Sequence, residues 1–190
     1  VLNVLNSSFK QVNDFSISAI KLAGLEYKLD SRNIDWSKSW EDTEDEESLH
    51  RWNWAIYELS SFSVKDQDTF TSWVVLQHEN WIDRYQTEIK YKKNASKLRW
   101  ESYTVSERVS NSTIFYYQRL GGWPSNKISD AVKGQVSYLI HHLEYFGEDT
   151  GNHIINNARA IYLAGVAFGC EIWMELAFTI IKLEVPKLVN

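Results

Sequence analysis

Residues that break helices are rare in this chain, and apolar residues recur at helical spacing along most of it. Only two prolines and eight glycines occur among its 190 residues. Between Phe70 and Ile89, for example, apolar side chains return every three or four positions, which places them on one face of a helix. Long helical segments with short connectors and almost no strand-type alternation indicate an all-α fold in which neighbouring helices are antiparallel.

Six helices are predicted from this spacing. Thr104 and Glu107 stand at the interval of a capping box and are expected to open the third helix, which Gly121 and Pro124 end. Small residues crowd the fifth helix, so we expect it to lie centrally, with other helices close against it. Pro186 is expected to end or kink the sixth helix. The predicted helices span residues 49–62, 66 or 68 to 89, 104–120, 125–146, 152–169 and 171 onward.

The first 45 residues are the least regular part of the sequence. Segments 15–22 and 25–29 fit either short strands or extended packing arms, and both alternatives stay open. The acidic run 41–47 is expected to be a solvated turn leading into a helix, with Thr43 and Glu46 at capping-box spacing. We predict one domain over residues 1–190, with an irregular N-terminal arm at 1–45 and helices at 46–190.

Composition and motifs exclude several classes of function. The net charge of −5, without a long basic stripe, argues against nucleic-acid binding. The longest apolar stretch, 161–170, is too short to cross a membrane, which takes about 20 residues. Cys170 stands alone, which excludes an internal disulfide and a cysteine-based zinc site. Because the sequence also lacks a phosphate-binding glycine loop, a nucleophile elbow and a His-Glu-x-x-His pair, we predict no cofactor and no metal.

Aromatic residues are unusually frequent, at 14% of the chain with nine tryptophans. Two interpretations stay open, because sugar-binding grooves use exposed aromatic rings and helical cores use buried ones. Trp52 and Trp54 are assigned to the core rather than to a sugar platform. The histidines on the predicted helices, interpreted as structural, are His50, His78, His141 and His142.

The segment 149–153 is the most informative local feature. If Asp149 or Thr150 caps the fifth helix, Asn152 and His153 lie in its first turn. Unpaired backbone N–H groups and the positive end of the helix dipole converge there, which favours an anion. Asn152 and His153 could then bind a carboxylate as hydrogen-bond donors. The alternative is that Asn152 only caps the helix and His153 is an ordinary surface residue.

Three stretches, in this order over about 130 residues, resemble the N-terminal part of the heparinase II/III-like and alginate lyases, a family of polysaccharide lyases. The second contains a Trp-x-x-Tyr-x-x-x-x-Arg helix start that is similar to one in the family. The stretches are Ile34-Asp35-Trp36 with Leu49-His50-Arg51-Trp52-Asn53-Trp54, then Trp100-Glu101-Ser102-Tyr103-Thr104-Val105-Ser106-Glu107-Arg108-Val109-Ser110-Asn111, and finally Thr150-Gly151-Asn152-His153 with Asn157, Ala160 and Ala164-Gly165.

This resemblance implies an incomplete (α/α) toroid of antiparallel helix hairpins, and β-elimination of an acidic polysaccharide that contains uronic acid. The family's Asn-His pair, which neutralises the substrate carboxylate, falls on Asn152 and His153. Tyr103 and Arg108 match positions that line the toroid and are candidate substrate contacts. Arg108 could instead pair only with a neighbouring carboxylate. The resemblance also implies a periplasmic or secreted protein.

The family's catalytic tyrosine and its C-terminal β-sheet domain lie further along than residue 190. We therefore expect this chain to be a fragment of a longer one, or to be completed by a partner chain, and whether it is an enzyme by itself stays open. Two alternatives remain: a non-catalytic toroid that binds acidic glycan in polysaccharide assembly or export, and a helical protein-interaction domain. A basic cluster near the cleft could attract an acidic glycan; its residues are Lys90, Lys92, Lys93, Lys97 and Arg99.

Overall fold

The predicted all-α architecture is confirmed. The structure, a computed structural model, describes residues 17–29, 33–90, 97–147 and 150–188. Within these ranges the chain forms one two-stranded hairpin and eight α-helices. They are β1 (Ala19–Lys21), β2 (Glu26–Lys28), α1 (Thr43–Arg51), α2 (Asn53–Leu59), α3 (Val64–Tyr85), α4 (Lys97–Trp100), α5 (Ser102–Leu120), α6 (Asn126–Ile140), α7 (His153–Phe168) and α8 (Glu171–Leu188); a 3-10 helix, Gln86–Lys90, follows α3.

The N-terminal arm contains strands rather than unpaired extended segments. β1 and β2 pair antiparallel with Ile20 opposite Tyr27, and both side chains are buried. The hairpin turn is tied to α1, because the backbone N–H of Gly24 donates to Oδ1 of Asp45 at 3.0 Å. Asp45 is itself buried, so part of the acidic run belongs to a packed helix and not to a solvated turn.

The helix caps differ from the predicted ones. Asp42 caps α1 by accepting from the N–H of Glu44 at 2.9 Å, in place of the predicted Thr43–Glu46 box. Ser63 caps α3 and forms a reciprocal pair with Asp66, whereas the sequence predicts a start at Asp66 or Asp68. α1 begins at Thr43, six residues before the predicted span 49–62, and α3 begins at Val64, two or four residues before its predicted start. Several neighbouring side chains can serve as a cap, which is why such boundaries shift.

The predicted helix 49–62 is interrupted at Trp52. This residue has φ 66° and lies between α1 and α2. Such a backbone costs about 1–2 kcal/mol for a residue other than glycine. The indole ring is buried, with ring centroids 5.7 Å from Trp36, 5.1 Å from Trp54 and 4.4 Å from His78. Packing of this large ring offsets the strain, and the assignment of Trp52 and Trp54 to the core is confirmed.

The central helix is α5, not α7 as expected from its small residues. α5 packs against α1, α2, α4, α6 and α7, whereas α7 packs against α5, α6 and α8. Most of α5 is buried although it is rich in serine and threonine. Three of these side chains find a partner on their own helix: Ser106, Ser112 and Thr113 each donate to the carbonyl oxygen four residues earlier.

α6 ends at Ile140, six residues before the predicted end. The rings of His141 and His142 approach the carbonyl oxygens of Ser137 and Tyr138 at 2.7 and 2.8 Å, and so satisfy the last turn of the helix. The ring of His142 also stacks on Tyr138.

The two C-terminal helices form a tight antiparallel hairpin. Gly169, with φ 64°, ends α7, and α8 begins two residues later. The close approach expected from the small residues of α7 is confirmed, since a Cβ added to Gly165 would lie 2.8 Å from Cγ of Met174. α8 continues through Pro186 rather than ending there. Within the described ranges, every helix is too short or too polar to span a bilayer.

Candidate functional site

His153 is the first residue of α7, and Asn152 occupies its N-cap position. The side chain of Asn152 is exposed and makes no capping hydrogen bond to the described part of the chain. Thr150 does not cap the helix either, and its Oγ1 accepts from the N–H of Phe146 at 2.8 Å. Asp149, the other predicted cap, lies outside the described residues. The structure thus places Asn152 and His153 together at the exposed N-terminus of a four-turn helix.

A carboxylate binds the Nδ1 edge of the His153 ring. Its Nδ1 lies 3.0 Å from Oε1 of Glu144, and 51% of its side chain is exposed against 14% for Glu144. The second carboxylate oxygen of Glu144 accepts from Nδ2 of Asn157 at 3.1 Å. Because Nδ1 faces Glu144, the opposite ring nitrogen, Nε2, lies on the other edge of the imidazole.

Tyr103 lies beside His153, as its assignment to the same site requires. The centroids of the two rings are 4.6 Å apart, with their planes tilted by 42°. The guanidinium of Arg51 lies 5.0 Å from the centroid of the Tyr103 ring. Arg51 is also paired with Glu44 and Glu47. The C-terminus of α1 and the N-termini of α5 and α7 therefore meet at one surface, which we call the helix-end surface and define by Arg51, Tyr103, Asn152 and His153.

Among the described residues, one group of three possible metal ligands occurs, at the same place. A donor atom from each of Glu101, Glu144 and His153 lies within 4.8 Å of the others. Two of the three carry hydrogen bonds of their own: Glu144 binds His153 at 3.0 Å, and Glu101 accepts from Thr104 Oγ1 at 3.2 Å. Thr104 is thus bonded to Glu101 at the start of α5 and not to Glu107, so the predicted capping box is wrong.

Glu107 instead contributes to the flank of this surface. It binds Arg159 of α7, with Oε1 2.6 Å from Nη2, and accepts from Nδ2 of Asn111 at 3.2 Å. Asn111 in turn donates to the backbone oxygen of Arg51 at 2.8 Å. These contacts join α1, α5 and α7 and hold the helix ends in register.

Arg108, the other predicted substrate contact, does not lie at this surface. Its side chain is fully buried, and its guanidinium donates to Oε1 of Gln135 and to the backbone oxygens of His50 and Arg99 at 2.9–3.1 Å. The guanidinium carbon lies 4.4 Å from the ring centroid of Trp81. This burial argues against a substrate contact. The hydrogen-bond partners are an amide oxygen and backbone oxygens, which argues against the alternative of a simple carboxylate pair. Arg108 thus joins α5 to α1, α3, α4 and α6 inside the core.

The buried Arg108 influences two buried histidines. Desolvation lowers the pKa of His78 to about 3, and the positive charge of Arg108 adds to this effect. The pKa of His50 is lowered well below its ordinary value by burial and then by Arg108. His50 accepts from the indole N–H of Trp81 at 3.0 Å, and His78 Nδ1 lies 3.0 Å from the hydroxyl of Tyr116. Both histidines are structural, as predicted.

The predicted basic cluster is largely outside the described residues, which exclude Lys92 and Lys93 and the side chains of Lys90 and Lys97. Arg99 is described: its guanidinium lies 4.1 Å from the ring centroid of Tyr85 and 3.9 Å from Glu88.

An open groove of about 790 Å³ lies at the other end of α7, along the connection between α5 and α6. Trp123 and Phe168 stack in it with centroids 5.0 Å apart, which covers one face of the Trp123 ring. At 1.5 Å per residue, the length of α7 places this groove roughly 22 Å from His153. The groove is therefore separate from the helix-end surface.

Sequence reasoning missed Glu144 as a site residue. It stands nine positions before His153, outside the helix that carries His153, and it is one of many carboxylates in the chain. No local spacing distinguishes it. Asn157, four residues after His153 on α7, was noticed only through the family resemblance.

Comparison with known proteins agrees with the architecture. A heparin-sulfate lyase of Bacteroides thetaiotaomicron is 26% identical over 189 aligned residues, which cover 93% of this chain and 26% of that lyase. The chain thus spans about a quarter of the length of this relative. No solved structure matches the chain. The family described as heparinase II/III N-terminus matches residues 3–189, and this chain, an all-α toroid of helix hairpins, belongs to that family.

Proposed function

We propose that the helix-end surface is the part of a polysaccharide lyase that binds and neutralises the carboxylate of a uronic acid in an acidic polysaccharide. The observation that carries this proposal is the pairing of exposed Asn152 with half-exposed His153 at the start of α7. Family membership and a heparin-sulfate lyase among the relatives support the same reaction class. Both side chains offer N–H donors at the N-terminus of α7, where the first backbone N–H groups have no partner within the helix, and this is a suitable environment for an anion.

The chemistry explains why such donors are needed. In β-elimination a base removes the proton on C5, next to the carboxylate, and the bond between C4 and its oxygen breaks to leave an unsaturated sugar. Negative charge develops on the carboxylate as the C5 proton leaves. Donors that are already oriented toward that charge stabilise the transition state, and each is worth about 10²–10³ in kcat where this has been measured.

Each residue of the helix-end surface has a role in this proposal. Asn152 donates its amide N–H to one carboxylate oxygen. His153, with a hydrogen on each ring nitrogen, donates from Nε2 to the other, since its Nδ1 faces Glu144. Tyr103 supports the face of the imidazole. The proposal assigns the carboxylate to this chain and leaves proton transfer at C5 and at the leaving oxygen to other groups of the full-length protein.

The test is turnover by the full-length protein, followed by the absorbance of the unsaturated uronate. We expect His153→Ala and Asn152→Ala each to lower kcat by about 10²-fold or more, with the affinity for the polysaccharide changed far less. His141→Ala, a change at another exposed histidine, serves as the matched control. If the two site variants change only affinity, the surface belongs to a glycan-binding toroid and the lyase proposal fails.

A further inference from the structure

We infer that Glu144 is a positioning residue that holds the imidazole of His153 with its hydrogen on Nδ1 and presents Nε2 to the ligand. The geometry stands on its own, and its significance for turnover rests on the proposed function. A carboxylate accepts hydrogen bonds and cannot donate them when it is ionised. At 3.0 Å from Oε1, Nδ1 of His153 must therefore be the nitrogen that carries a hydrogen.

Glu144 is itself fixed at three points. Oε1 binds His153, Oε2 accepts from Nδ2 of Asn157 at 3.1 Å, and its backbone N–H donates to Oδ1 of Asn157 at 3.0 Å. The last contact also determines how the Asn157 amide is oriented, because a backbone N–H can only donate and so must face the amide oxygen. The carboxylate and the main chain of Glu144 are thus held by one side chain.

Asn157 is completely buried and anchored to the central helix. Its Nδ2 donates a second hydrogen bond to Oγ of Ser106 at 2.9 Å, and Ser106 in turn donates to the backbone oxygen of Ser102 at 2.8 Å. Both hydrogens of the amide are used and its oxygen is occupied. Fully satisfied buried networks of this kind are rigid, because breaking any member leaves an unpaired polar group inside the protein.

Because Nδ1 of His153 is bound to Glu144, Nε2 is the ring nitrogen that faces the ligand. In the neutral ring Nε2 then carries the lone pair, and a proton taken up by the ring goes to Nε2. The charged ring therefore donates Nε2–H outward while Nδ1–H stays on Glu144. Tyr103, 4.6 Å from the ring centroid, limits rotation of the imidazole about its own axis. A carboxylate bound at the helix-end surface would meet a donor at one defined atom.

The tautomer can be read directly by nuclear magnetic resonance on the full chain labelled with ¹⁵N-histidine. Long-range proton–nitrogen correlations distinguish Nδ1–H from Nε2–H in the neutral ring. The spectra are recorded at a pH high enough that the His153 signals no longer change with pH. His153→Gln assigns the signal by removing it. We expect the Nδ1–H tautomer in the wild-type protein. An Nε2–H tautomer there overturns the inference, and this result requires no variant to fold.

Two variants complete the experiment. Glu144→Ala is expected to shift His153 away from the pure Nδ1–H form. The matched control is Glu101→Gln, which removes a neighbouring carboxylate that His153 does not bind. We expect this control to leave the tautomer of His153 unchanged. An unchanged tautomer in Glu144→Ala also overturns the inference. Loss of the carboxylate that orients a metal-binding histidine typically costs about 10–100-fold in affinity or activity. We expect a loss of the same order, about 10–100-fold, in kcat of Glu144→Ala, with KM within about threefold.

The two proposals can fail separately. If the tautomer of His153 changes in Glu144→Ala but His153→Ala leaves turnover intact, the positioning role stands and the proposed function fails. If His153→Ala abolishes turnover but the tautomer is the same in Glu144→Ala as in wild type, only the positioning role fails.

Discussion

The ring of Tyr103 lies against the imidazole of His153, 4.6 Å between centroids, and joins the first turn of α5 to the first residue of α7. Contacts between aromatic rings contribute about 0.5–1.5 kcal/mol, which corresponds to roughly a 2- to 12-fold change in rate if the contact orients a reacting group. We expect Tyr103→Ala to lower kcat/KM of the full-length protein on a uronate polysaccharide by about tenfold.

Tyr103→Phe removes the hydroxyl and keeps the ring, so it separates the contributions of these two groups. Because the ring makes the contact with His153, we expect kcat/KM of this variant to stay within about threefold of wild type. Tyr57→Ala, a change at an exposed tyrosine of α2, is the control for the loss of a surface aromatic residue. Equal losses in Tyr103→Phe and Tyr103→Ala would assign the effect to the hydroxyl instead.

Arg108 is predicted to matter for stability rather than for binding. Arg108→Met would leave the oxygens of Gln135, His50 and Arg99 without their buried donor. An unsatisfied buried acceptor costs about 1–3 kcal/mol, so we expect the free energy of unfolding in urea to fall by about 3 kcal/mol or more.

Arg159→Met provides the comparison for that measurement. Its guanidinium is half-exposed and pairs with Glu107, and exposed pairs contribute about 0–1 kcal/mol. A loss in Arg108→Met no larger than the loss in Arg159→Met would contradict the structural role of Arg108.

The buried histidines predict sensitivity to acid. Burial lowers the pKa of His78 to about 3, while a histidine in the unfolded chain titrates near 6.5. Between these values the unfolded state binds a proton that the folded state does not, so the free energy of unfolding decreases as the pH falls from about 6.5 toward 3. This one group contributes a slope of about 1.4 kcal/mol per pH unit.

The double variant His78→Phe with Tyr116→Phe removes the titrating group and the hydroxyl bonded to it, so no partner is left unpaired at that hydrogen bond. Urea unfolding between about pH 6 and pH 4.5 should give a slope shallower by about 1.4 kcal/mol per pH unit. Tyr116→Phe alone keeps His78 and should keep the wild-type slope. Identical slopes in all three proteins would show that His78 is not buried as a neutral ring.

The contact between α7 and α8 predicts intolerance of a single methyl group. A Cβ at position 165 would lie 2.8 Å from Cγ and 3.1 Å from the backbone nitrogen of Met174, and the backbone atom cannot move aside cheaply. We expect Gly165→Ala to lower the thermal and urea stability by about 1–3 kcal/mol, although alanine favours a helix over glycine by about 1 kcal/mol. At Gly122 an added Cβ meets no described atom within 4 Å, so Gly122→Ala should change stability by less than about 0.5 kcal/mol.

Local signals in the sequence determined where most helices lie. Apolar spacing and the scarcity of glycine and proline predict the course of α3, α5, α6, α7 and α8, because these signals act within a few turns. They also placed Asn152 and His153 at the start of α7, since a helix N-terminus depends on its nearest residues. Boundaries that depend on distant partners were wrong: the break at Trp52 follows from packing against Trp36 and His78.

Only the tertiary structure decided which polar residues are buried and which are free to act. Arg108, Ser106 and Ser112 of α5 are polar in sequence, yet they are buried, because carbonyl oxygens of distant segments or of their own helix accept their hydrogen bonds. In the sequence Glu144 is one carboxylate among many. The fold places its Oε1 3.0 Å from Nδ1 of His153 and fixes its Oε2 by a hydrogen bond from Asn157. Periodicity reports which face of a helix is apolar, whereas a hydrogen-bond partner far along the chain is chosen by the packing of whole helices.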